Sequence, residues 1–153
     1  MPNRESEATT HLRADAALAS ILTGGIYASG SLGIEGLGES STPDAFASGV
    51  LLPTAIVRTR AFIPSGGIVD LSERVASASQ MLEVWLYADV ADQEALHDAR
   101  QRVYEIVQGY AFDAAYPSEW ANELATIPEP GNLAPSGMMS RIDFLIRNIR
   151  RPN

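Results

Sequence analysis

Apolar and polar positions alternate most sharply along QMLEVWLYAD. Leu82, Val84 and Leu86 fall on one side of an extended chain, with Met81, Glu83, Trp85 and Tyr87 on the other, which predicts a strand over 78–88. The same period of two recurs in GMMSRIDFLIRNI, where Ile142, Phe144 and Ile146 alternate with Arg141, Asp143, Leu145 and Arg147. It recurs again in LLPTAIVRTRAFI, where Ala55, Val57 and Thr59 alternate with Ile56, Arg58 and Arg60 from Thr54 onward; Pro53 suits a strand's first residue. Two stretches instead follow the helical period. A helix over 6–22 is predicted from Leu12, Ala16, Ala19 and Leu22, widened by Leu18 and Ile21 and stopped by Gly24 and Gly25. A second runs to about Gly109, with Leu96, Ala99, Val103, Ile106 and Tyr110 on one face. Asp89 and Asp92 are candidate caps for it, and Asp98 and Arg102 stand four apart on its wetter side.

Two segments carry no clear period. Glycines 24, 25, 30, 33, 36 and 38 punctuate LTGGIYASGSLGIEGLGESSTPDA, where GIY reads as a short edge strand or an anchor and 28–49 as a flexible loop. Prolines and glycines interrupt 113–137, within which EWANELATI fits either a strand or a short helix. The order of elements predicts one α+β domain over 1–153. It is a small mixed or antiparallel sheet with both helices packed on one face, a long glycine-rich loop, and a basic tail at 148–153. The other sheet face then carries Arg58, Arg60, Glu83, Trp85, Tyr87, Arg141, Asp143 and Arg147. Such a face is first of all a solvated one, since antiparallel sheets commonly have one wet side; Trp85 and Tyr87 add weight to a partner surface.

Composition narrows the chemistry. The chain has 153 residues, 46% hydrophobic and 20% charged, which is globular. No apolar run approaches the about 20 residues that cross a bilayer, and the polar, acid-bearing start reads as neither a signal nor a transit peptide. There is no cysteine, and all 11 basic residues are arginine, which excludes thiol chemistry, a P-loop lysine and Schiff bases. A net charge of −8 opposes specific nucleic-acid reading, while a surface past which DNA slides without sticking stays open. The glycine loop fails as a phosphate cradle: it follows a helix and contains Glu35, Glu39 and Asp44. His11 and His97 have no base–orienter context, and the carboxylate spacing matches no metal motif. No catalytic residue, metal or cofactor is assigned. Arg147, Arg150 and Arg151 read as a basic contact for an acidic neighbouring subunit.

Taken together, LRADAALASILTGGIY, TPDAFASGVLLPTAIVR, QMLEVWLYAD and ALHDARQRVYEIVQGY resemble the tail terminator, or tail-completion, proteins of long-tailed bacteriophages. The likeness runs from about Leu12 to Ile149 and rests on a pattern of elements rather than on a signature of ligands. It implies a non-enzymatic virion protein, made in the host cytoplasm, that forms a homo-oligomeric, hexameric ring on the tail tube protein at the head-proximal end. Such a ring stops tube polymerisation, meets the head–tail connector or stopper proteins, and lets genomic DNA pass through its lumen, with no membrane involved. On that model Arg58, Arg60, Glu83, Trp85, Tyr87, Arg141, Arg147, Arg150 and Arg151 are candidates for subunit or tube contact. The loop over 28–49 is expected to order against a neighbour. A connector or stopper ring of the neck remains an alternative, as does, from another class, a non-catalytic small-molecule binding domain or an enzyme accessory subunit.

Overall fold

The structure, a computed structural model, describes residues 3–61, 79–130 and 136–149. Its centre is a five-stranded mixed sheet in the order β1-β4-β5-β7-β6. These strands are β1 (Ile26–Ala28), β4 (Thr54–Ala61), β5 (Ser79–Asp89), β6 (Glu119–Pro128) and β7 (Gly137–Arg147). A separate two-stranded hairpin is made by β2 (Phe46–Ala47) and β3 (Val50–Leu51). The helices are α1 (Arg4–Arg13), α2 (Ala16–Ile21), α3 (Ser29–Leu32) and α4 (Gln93–Val107). The predicted α+β class is what forms.

The three alternating segments become the three central strands. Residues 79–89 of β5 pair with β7 along their whole length, in the register Leu82↔Phe144, Val84↔Ile142 and Leu86↔Ser140. β4 joins the other side of β5 through Val57↔Val84 and Ala55↔Leu86. Leu82, Val84, Leu86, Ile142, Phe144 and Ile146 therefore share one face, and all are buried. α4 covers them with Leu96, Ala99, Val103 and Val107; α1 and α2 add Ala8, Leu12, Leu18 and Leu22 to the same core. β1 is parallel to β4, through Ile26↔Ala55 to Ala28↔Val57, so GIY does supply an edge strand. Gly24 is needed there because a Cβ would stand 2.1 Å from the Thr54 hydroxyl, and Gly25 has a φ of +103°.

Four local expectations change. The helix over 6–22 is broken at Ala14, because Asp15 starts a new helix by accepting the Leu18 amide at 2.8 Å. The break re-phases the stripe: Leu12, Leu18 and Leu22 are buried, whereas Ala16 and Ala19 are exposed. Asp15 also takes Arg102, Nε to Oδ2 at 2.9 Å and Nη2 to Oδ1 at 2.7 Å, so Arg102 ties α2 to α4 and bonds Glu105 rather than Asp98. The second helix stops at Val107, and Tyr110 lies beyond it, 40% exposed and stacked on His11 at 3.7 Å. The glycine segment over 28–49 carries short elements: α3, 3-10 turns at Gly33–Glu35 and Pro43–Ala45, and the hairpin. Ser48 and Gly49 both have positive φ, the backbone sign of a type I′ hairpin turn, and Leu51 and Ala45 are buried.

EWANELATI resolves as part of β6, an edge strand with two irregularities in its pairing, Trp120/Asn122 and Leu124/Ile127. Those slips keep Trp120, opposite Phe144, and Glu123, opposite Ile142, on the helix-covered face although they are three apart. A helical-looking spacing in sequence is thus compatible with a strand. Arg4, almost fully buried, secures the chain's two ends by donating to the Asp113 carbonyl at 2.9 Å and to Asn148 Oδ1 at 2.7 Å.

Two outcomes follow from this core. Phe144→Ala should cost about 3–5 kcal/mol and Val84→Ala less, read by urea denaturation, since both sites are closed on every side. The Arg102 guanidinium, with the Leu18 amide, holds the Asp15 carboxyl down at about 2, below its ordinary 3.8. A depressed acid stabilises the fold above its unfolded pKa and loses that effect as pH falls through the folded one. Asp15→Asn keeps a capping side chain but not the charge, so it should be less stable than the parent at pH 5–7, with the gap closing between about pH 4 and pH 2. A gap independent of pH would remove the ion pair from this account.

Candidate assembly surface

On the sheet face away from the helices, alternation from β4, β5 and β7 assembles a charged and aromatic group. Glu83 stands opposite Arg58 on one side and Asp143 on the other; Trp85 stands between Ile56 and Arg141. The centre of this face is not the solvated surface expected: Glu83 is 4% exposed and Asp143 2%. Two carboxylates in register at a cross-strand position repel one another unless cations intervene. Arg60 intervenes for Glu83, Nε to Oε2 at 3.0 Å, diagonally across the ladder. Arg141 intervenes for Asp143, with Nε 3.2 Å from Oδ1 but without the alignment of a hydrogen bond, so neither atom has a hydrogen-bond partner among the described residues.

Trp85 links the two pairs. The Arg141 guanidinium lies over its ring at 4.9 Å from the centroid, and its Nε1 donates a long 3.4 Å contact to Glu83 Oε1. Burial, opposed by Arg141 and reinforced by Glu83, pushes the Asp143 carboxyl above its ordinary value. Burial likewise raises the Tyr87 hydroxyl.

The structure thus unites Arg60, Glu83, Trp85 and Arg141 in one cluster with Asp143, which alternation places on the same face although it was not among the contact candidates. Arg58 and Tyr87 adjoin it. With Ser29, Ile56 and Trp85 they line a shallow groove of about 210 Å³, in which Arg58 is exposed and makes no ion pair among the described residues. Arg147 is elsewhere: it stands opposite Ser79, six residues along β7 from Arg141, and pairs with Glu119 of β6. Arg150 and Arg151 lie outside the described residues.

Nothing in the described residues adds a reacting constellation. His11 Nε2 donates to the Ile106 carbonyl at 2.9 Å, and His97 Nδ1 faces Arg100 at 3.4 Å. No group of three or more His, Asp or Glu among the described residues could hold a metal ion, and no helix of the structure is long and apolar enough to cross a membrane. What the surface offers is an exposed cation without an ion pair among the described residues, Arg58, beside a half-buried aromatic pair on a strand scaffold.

No protein-family model matches the chain, and no curated protein matches it. Among solved structures it is similar to a chain of the "Virion of native gene transfer agent (GTA) particle". The TM-score is 0.60 at 13% identity, covering 94% of this chain and 92% of that one. At that identity the shared property is the fold, over nearly the full length of both chains.

Burial of Asp143 gives a prediction whose sign differs from that for Asp15. A carboxyl whose folded pKa is raised disfavours folding once ionised, so stability from this site falls as pH rises through the unfolded and then the folded value. Asp143→Asn should therefore gain on the parent as pH is raised from about 4 to 7, even though it loses the Arg141 partner. Thermal unfolding across that range checks it, and a growing deficit toward neutral pH would show that the Arg141 pairing outweighs burial.

Proposed function

We propose that this chain is a structural protein of a phage-like virion, which assembles as a ring at the head-proximal end of a tail tube. There it ends tube polymerisation and presents the surface on which head and tail join. The observation that carries the reading is the fold shared along almost the whole of both chains with a component of a gene transfer agent virion. The tail-terminator resemblance of the sequence adds the position in the particle.

The charged sheet face supports this reading. Ring subunits and tube subunits meet through preformed surfaces, and Arg58 with Trp85 and Tyr87 has the arginine-plus-aromatic make-up in which interface energy concentrates. An acidic chain also suits a conduit, because a net charge of −8 does not grip a polyanion passing through. On this reading the partners are further copies of the chain, the tube protein below and the connector or stopper above, with DNA in the lumen.

Purified protein mixed with tail tubes should give rings, and tubes capped at one end, by negative-stain microscopy and mass photometry. A protein that stays monomeric and leaves tube ends bare overturns the proposal; rings that bind portal-bearing heads but never tube ends move it to the neck as a connector or stopper. Arg58→Ala is the clean probe of the face, since Arg58 makes no ion pair among the described residues and a neutral side chain adds no carboxylate opposite Glu83. It should weaken capping or assembly about tenfold or more with unfolding unchanged. Arg60→Glu is a poorer probe, because it would place a third carboxylate beside buried Glu83 and Asp143 and so strain the fold itself.

A further inference from the structure

We propose that the groove beside Arg58 seats a carboxylate side chain, Asp or Glu, carried by a different protein of the particle; this rests on the ring reading and names the chemistry of one of its contacts. Acids outnumber basic residues in the chain, 19 to 11. In such a chain a cation left without a carboxylate is the exception. Every other described arginine is held, Arg13 by the Ile26 carbonyl at 2.7 Å and the rest in ion pairs. Among the described residues Arg58 alone of the arginines has neither a hydrogen bond nor an ion pair, and it is exposed.

The strands impose this isolation. Arg58 stands opposite Glu83, but both oxygens of Glu83 are engaged, Oε2 by Arg60 at 3.0 Å and Oε1 by Trp85 Nε1 at 3.4 Å. Asp143, across β5 on the same face, is paired with Arg141. The cluster therefore holds one cation more than it holds carboxylates, and an anion completes it. Ile56, Trp85 and Tyr87 give the groove apolar walls, and Ser29 adds a hydroxyl. Its volume of about 210 Å³ is below the about 300–1,000 Å³ of a small-molecule site, which suits one side chain presented by a protein surface.

The anion is a carboxylate rather than a phosphodiester backbone. A nucleic acid is held by several cations that track its phosphates, and here Arg60 and Arg141 are already engaged by carboxylates. The net charge of −8 also opposes a polyanion. A second copy brings the same −8, and one unpaired arginine does not offset that repulsion at this contact; a partner acidic only where it docks meets less of it. A guanidinium meets a carboxylate through two parallel N–H···O bonds, and the Trp85 and Tyr87 rings beside it limit the access of water.

The chain contains no lysine, so Arg58→Lys installs its single side-chain amine and makes a direct test available. A water-soluble carbodiimide joins an amine to a carboxylate that touches it, taking up the water lost and leaving no spacer. Applied to Arg58→Lys bound to tail tubes or portal-bearing heads, it should give an amide between the introduced amine and an Asp or Glu of the tube or head protein, located by peptide mass spectrometry. Arg58→Ala should raise the concentration needed for attachment about tenfold or more, and Arg58→Lys only a few-fold, both with the parent's unfolding midpoint. Attachment of Arg58→Lys without that amide, or with one only to Glu83 of its own chain, overturns the seat and leaves the ring reading standing. Arg58→Lys as weak as Arg58→Ala shows that the groove does not use charge and overturns the seat as well. An amide to a second copy overturns the different-protein bearer and makes the groove a subunit contact. Binding of labelled oligothymidylate by the parent, lost in Arg58→Ala, overturns it in favour of a phosphate. A parent protein that neither forms rings nor attaches to tubes or heads removes the ring reading, and this contact with it.

Discussion

The antiparallel register of β5 against β7 is the constraint from which most of the molecule follows. Both strands are eleven residues long and pair at every step, so each choice of face made at Val84↔Ile142 propagates along the ladder. A slip of one residue would turn Leu82, Val84 and Leu86 to the face away from the helices. The same register leaves no freedom over the other face: where Leu82 meets Phe144 on one side, Glu83 must meet Asp143 on the other. Core and charged cluster are two consequences of one pairing.

That coupling explains why the charged face is built with so few free parts. Two buried carboxylates in register are tolerated only with cations nearby, and Arg60 and Arg141 supply them from β4 and β7. Burying such groups is costly compared with an apolar packing of similar volume, so their presence is weak evidence for stability. It is better evidence for position. Arg141 is held between a carboxylate and the Trp85 ring, and the ring in turn meets Glu83, which leaves little rotational freedom among four side chains. Arg58, opposite Glu83 on β4, is exposed, makes no ion pair among the described residues and so is left outside this mutual restraint.

Much of this was legible in the chain itself, and the parts that were not have identifiable causes. Period-two alternation found the three central strands, and the heptad-like spacing of Leu96, Ala99 and Val103 found α4, because each pattern serves one large buried face. The break at Ala14 was hidden because alanines satisfy a helical stripe whether or not they are buried, while the Asp15 cap that re-phases it depends partly on Arg102, 87 residues away. β6 was ambiguous because its bulges replace a period of two by a spacing of three between Trp120 and Glu123. The dry centre of the charged face could not be read from Glu83 or Asp143 alone; alternation says which side a residue faces and nothing of what closes over it. Arg147 was grouped with Arg58 by alternation, yet distance along the strand separates them and Glu119 claims it.

The sheet's two margins are chemically unlike, and the difference begins with the strands that form them. On one margin β1 is three residues long, runs parallel to β4, and is followed at once by α3, so most of that edge is furnished by side chains of β4 and by a short helix. On the other, β6 is long, bulged and flanked by grooves with aromatic walls. The strand order, with β4 on one side of β5 and β6 beyond β7, is what puts those margins on opposite sides of one protomer.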